Sequence, residues 1–73
     1  MSALSEQEGK ALILARLRQA MVEMPASERE RPRYILNFQA YSVLDLIKQV
    51  EQWTPTGKKY TFQELKRLNY IVT

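Results

Sequence analysis

Acid–base, nucleophilic and metal chemistry each need particular side chains, and this chain carries few of them. It contains neither histidine nor cysteine, so the most common general base, the most common metal ligand and any thiolate are missing together. The hard ligands are Asp45 and seven glutamates, scattered without calcium-loop or Glu-x-x-His spacing. Glu28 and Glu30 lie two apart within a polar connector and read as a solvated charge run. Paired carboxylates work only in a shared cleft that raises the pKa of one of them. Glu51 and Glu64 could approach across a turn, but a core this small hardly forms a deep, dry pocket as well. A serine or threonine nucleophile would depend on a lysine base, and although Lys48 and Lys58 lie near turn threonines, their spacing does not mark a Ser–Lys or Thr–Lys pair. The expectation is no catalytic residues, no metal, no cofactor and no enzymatic activity.

Two other sets of residues suggest binding. The segment Thr54-Pro55-Thr56-Gly57-Lys58-Lys59 echoes a phosphate loop, but it has one glycine, and Lys59 stands where the hydroxyl residue should follow the lysine. It reads as a helix-breaking turn. Lys58, Lys59, Lys66 and Arg67 still outnumber Glu64 over residues 54–73, and the whole chain's net charge of +3 resides there. With Gln63 among them, they are the candidates for nucleic-acid or anion contact, helped by a helix N-terminus at Thr61. That reading requires the four cations on one face with Gln63 or Asn69 between them.

The second set is aromatic and basic. Seven rings in 73 residues exceed what one small core encloses, and tyrosine, tryptophan and arginine anchor binding surfaces. Phe38, Trp53 and Phe62 are assigned to the core. Tyr34, Tyr41 and Tyr70, with Arg31 and Arg33 and the apolar Leu14 and Met21 of the first helix, are the candidates for a protein interface.

These residues must be held by a single small domain, residues 1–73, with 45% apolar and 26% charged residues. Disordered chains are poorer in apolar residues. A chain of this length buries only about 60% of its unfolded surface, so a partner or a second copy is expected to complete the core. No apolar run reaches the 18 or so residues of a membrane span, and the N-terminus does not read as an export signal. The expected address is cytoplasmic, with no membrane.

Ser5 and Glu8 have capping-box spacing and open a helix over about 6–24, which Pro25 ends. Ile13, Leu17, Ala20 and Met24 recur at helical spacing. Residues 25–33 form a polar connector in which Ser27 and Glu30 allow a single turn. Residues 34–41 are ambiguous, alternating as a strand yet compatible with a short helix. Ser42 and Asp45 open a helix over 43–53, residues 54–60 turn, and Thr61 and Glu64 cap a helix over 62–69, which Asn69 can close in the left-handed conformation.

The expected fold is predominantly α, a long N-terminal helix packed on two shorter ones. The alternative is α+β, with residues 34–38 paired to 70–73. The expected function is that of a small non-enzymatic accessory or adaptor protein that self-associates or docks on a protein partner. The rival is a nucleic-acid-binding module built on a basic, helix–turn–helix-like C-terminal region.

Overall fold

In the computed structural model, which describes residues 2–73, helices dominate. The order is β1 (Ser2–Leu4), α1 (Glu6–Glu23), a 3₁₀ turn (Ala26–Glu28), β2 (Tyr34–Leu36), β3 (Gln39–Tyr41), α2 (Val43–Glu51), α3 (Pro55–Arg67) and β4 (Tyr70–Val72). The long α1 packs on both shorter helices, as the apolar periodicity predicts.

Local chemistry sets the helix ends. Ser5 Oγ accepts from the Glu8 N–H at 3.2 Å, and Glu8 Oε1 accepts from the Ser5 N–H at 3.0 Å, a reciprocal capping box. Hydrogen bonding to Ser5 holds the Glu8 carboxyl below the usual carboxylate range. Pro25 keeps Met24 extended (φ −82°, ψ 144°) and so stops α1. Ser42 and Asp45 form a second reciprocal box at 3.1 and 3.2 Å.

The end of α2 departs from expectation. Trp53 takes φ 54°, its N–H donates to Val50 O, and the Thr54 N–H donates to Gln49 O, both at 3.1 Å. These are the two bonds of a Schellman motif. Thr54 immediately caps the next helix, its Oγ1 accepting from the Gly57 N–H at 3.0 Å. Residues 54–60 are therefore not a turn, and α3 begins at Pro55 rather than Phe62. Proline is well suited to the first helical position, where its missing N–H costs nothing. Gly57 has no positive φ. A Cβ there would lie 2.5 Å from the Gln49 carbonyl carbon and 2.8 Å from Val50 N, so glycine is needed for the close approach of α2. Thr61, the expected cap, lies inside α3 and is fully buried. Asn69, at φ 67°, closes α3 as expected.

The ambiguous segment 34–41 is an antiparallel hairpin, β2 on β3, with Tyr34 opposite Tyr41 and Leu36 opposite Gln39. Residues 70–72 pair instead with β1, in parallel. Both segments named in the α+β alternative are strands, but neither is the other's partner. The core is centred on Ile13, Leu17, Val43, Leu46, Val50 and Leu65, with Leu14 and Ile47 also buried. Because α1 meets two helices, it buries a wider arc than one stripe, and Leu14 falls inside that arc.

Candidate functional site

The hairpin is a two-faced element. Tyr34, Leu36 and Tyr41 are half-buried and pack against the core, whereas Ile35 and Ala40, paired across the strands, face outward. The connecting loop is Asn37-Phe38 with φ of 50° and 66°. Two positive φ values in a two-residue loop define a type I′ turn, whose second position favours glycine. Phe38 occupies it with a fully exposed side chain, and Ile35 beside it is 75% exposed. Phe38 is thus not a core residue. Trp53 and Phe62 are half-buried and meet edge to face, centroids 5.9 Å apart, with Lys10 Nζ 5.5 Å from the Trp53 ring.

Two side-chain contacts tie the hairpin to α3. At its tip the Lys59 ammonium donates to Asn37 Oδ1. At its root the Tyr34 and Tyr60 rings meet edge to face, centroids 6.1 Å apart. Below them opens a cleft of about 250 Å³, lined by Arg16, Tyr34, Tyr60, Glu64 and Arg67 over an apolar floor that includes Ile13 and Leu17. Arg67 binds Glu64 through two contacts of 2.9 Å, and this lowers the Glu64 pKa. Burial, reinforced by the Glu64 charge, pushes the Tyr60 hydroxyl up to about 12. Arg16 is exposed and forms no ion pair among the described residues. The cleft is smaller than the roughly 300–1,000 Å³ of small-molecule sites, and its size suits a side chain.

The structure groups the basic candidates and disperses the interface candidates. Lys58, Lys59, Gln63, Lys66 and Arg67 are all exposed on α3. At 3.6 residues per turn, Lys59, Gln63 and Lys66 climb one ridge, with Lys58 and Arg67 at its rims. The helix N-terminus expected at Thr61 to assist them is absent, because α3 starts two turns earlier. Leu14 is core and unavailable for docking, and Met21 is half-buried against it. Tyr34 and Tyr41 are on the hairpin's inner face, the Tyr41 hydroxyl donating to Gln39 Oε1 at 2.9 Å. Tyr70 is half-buried in the terminal sheet. Arg31 is exposed and paired to Glu28 at 3.1 Å. Arg33 is exposed, and its N–H extends the hairpin ladder to Tyr41 O at 2.9 Å.

The residues that sequence reasoning missed are Ile35 and Phe38. The signal was present: asparagine in a two-residue gap between β-prone runs marks a hairpin, and a hairpin turns its loop outward. Among the described residues no group of three or more Asp or Glu side chains converges as a metal site, and no helix is long and apolar enough to cross a membrane. No family model, curated protein or solved structure matches the chain.

Proposed function

We propose that this protein is a non-enzymatic docking module that engages another protein chain through the outer face and tip of its β2–β3 hairpin. The observation that carries the reading is Phe38. A non-glycine residue in the left-handed region costs about 1–2 kcal/mol, and Phe38, being fully exposed, recovers none of it by burial. Strain of this kind clusters at binding and switch sites. Exposed aromatics with an apolar neighbour, here Ile35, form the anchors of protein interfaces.

The test is photo-crosslinking in the expressing cell, with a benzoylphenylalanine in place of Phe38 and, as control, in place of Val22, an exposed apolar residue on α1. Discrete protein adducts at position 38 and none at 22 are expected. Their mass separates a second copy from a different partner. Absence of adducts at 38, or equal adducts at both sites, refutes the proposal.

One observation favours a second reading, nucleic-acid binding. The α2–α3 connection is only Gln52–Thr54, the short link of a helix–turn–helix pair, and the solvent side of α3 carries the basic ridge. Four phosphate contacts give a salt slope of about −3.6, a loss of roughly 10²-fold between 50 and 200 mM salt. Anisotropy of a labelled 20-base-pair duplex at those two concentrations tests it, and no binding at 50 mM removes it.

A further inference from the structure

We infer that the strip from Phe38 along α3 to the Arg16–Arg67 cleft receives an extended, acidic segment of the partner protein, with an apolar residue against Phe38 and a carboxylate at Arg16. This inference rests on the docking reading and names the partner's chemistry.

Charge is the first support. Residues 32–42 and 52–63 contain no aspartate or glutamate, and they carry the exposed Arg33 and Lys59. The one acid at the foot of the strip, Glu64, is taken up by Arg67. That leaves Arg16 as the free cation of the cleft among the described residues. The partner's complement is therefore anionic.

Continuity is the second. The Lys59–Asn37 hydrogen bond sets the hairpin tip beside the first turns of α3, the Tyr34–Tyr60 contact seats its root, and both rings continue into the cleft. The cleft offers an aliphatic floor from Ile13, Leu17 and Ala20, with a guanidinium at the rim. A short aliphatic stem ending in a carboxylate, as in glutamate, matches both parts.

Spacing is the third. Lys59, bonded to Asn37 at the hairpin tip, and Arg67, beside Arg16 in the cleft, mark the two ends of the strip on α3 and are eight residues apart, about 12 Å at 1.5 Å per residue. An extended chain advances about 3.3 Å per residue, so the apolar anchor and the carboxylate should fall about four positions apart. A nucleic-acid strand fits less well, since it offers no aliphatic group to set against the exposed Phe38 ring.

The experiment is selection of a phage-displayed library of random 12-residue peptides on the immobilised full chain, with Phe38→Ala protein as counter-selection. The expected result is a consensus with an aliphatic or aromatic residue and an acidic residue three to five positions away. The synthetic consensus peptide, labelled with fluorescein, should bind Arg16→Gln about tenfold more weakly, the loss expected for a hydrogen bond between charged groups. It should also weaken as NaCl rises from 50 to 500 mM. Circular dichroism confirms that the variants are folded. Phe38-dependent peptides without an acidic residue, or indifferent to Arg16→Gln, overturn this inference and leave the docking reading standing. No Phe38-dependent enrichment overturns both. A labelled 20-nucleotide single strand that binds more tightly than the consensus peptide and loses affinity in Phe38→Ala overturns the inference in favour of nucleic acid.

Discussion

Replacing Phe38 with glycine should stabilise the fold while destroying the binding surface. The magnitude follows from the loop geometry. Phe38 sits at φ 66°, where a residue with a Cβ gives up about 1–2 kcal/mol. Its ring is fully exposed, so truncation forfeits no buried apolar area. Glycine relieves the steric term but loses about 0.5–1 kcal/mol more chain entropy on folding. The difference is a net gain of about 0.5–1 kcal/mol, which in a domain of this size raises Tm by roughly 2–8 °C. Phe38→Leu keeps the backbone strain and removes only the ring, so its stability should match that of the parent. The assay is thermal and urea unfolding followed by circular dichroism, with an unchanged urea slope to show that the unfolded reference is the same. The same variants are then tested for binding of the consensus peptide, which both should lose. A Phe38→Gly protein less stable than the parent by 1 kcal/mol or more would refute the reasoning, because the ring would then be contributing to the fold and would need no partner to account for it.

Other expectations concern the framework beneath the hairpin. Thr61 is fully buried, and its Oγ1 has no hydrogen-bond partner, so Thr61→Val should raise the urea-derived stability by about 1 kcal/mol, the low end of the desolvation cost of an unpaired polar group. Gly57→Ala should cost roughly 1–3 kcal/mol, because its Cβ would press on α2 backbone. Gly9→Ala should cost less, since its Cβ meets first the Leu65 side-chain tip, Cδ1, at 2.5 Å. The Tyr60 hydroxyl is held at about 12 in the folded protein by burial and by the Glu64 charge, against about 10 in an unfolded chain. The neutral form is thus favoured by folding, and its contribution is intact below pH 10 and lost as pH rises from 10 through 12. In Tyr60→Phe that share of the alkaline fall in stability should disappear, which denaturation at pH 9 and pH 11 measures.

What was legible in the sequence was what depends on neighbours along the chain. The boxes at Ser5 and Ser42 and the left-handed Asn69 are set within four residues, and all three formed as the sequence implies. Thr54-Pro55-Thr56-Gly57 reads as a turn, yet proline and glycine after an apolar run describe a helix stop and a helix start equally well. The deciding fact, that Gly57 faces the backbone of α2, is tertiary. β1 is three residues long and gains its identity from pairing with β4 about seventy positions away, which no local pattern encodes. Hydrophobicity alone assigns Phe38 to the core, although hydrophobicity does not say on which side of a loop a ring stands. Leu14 reads as a surface residue because it lies outside the Ile13, Leu17, Ala20 and Met24 seam, whereas the arc that α1 buries against its two neighbours is wide enough to take it in. The basic ridge of α3 was legible by composition, and its length was not.

The same division bears on how so small a domain can carry an unfavourable residue. Its core is made by three helices, and the hairpin adds only its inner face, Tyr34, Leu36 and Tyr41. A two-stranded hairpin by itself is marginal in water. Here it is seated at both ends, by Tyr60 at the root and Lys59 at the tip, so its outer face is presented in one arrangement before any partner arrives. Preorganisation of this kind lowers the ordering cost that binding must overcome. It also confines the strain at Phe38 to a loop with no buried neighbour to disturb. The side of α3 that holds Gly57, Thr61 and Leu65 has no such freedom, because each of those residues is buried. Sequence can therefore vary on the hairpin's outer face with little consequence for folding, and that is the face on which a binding specificity can be written.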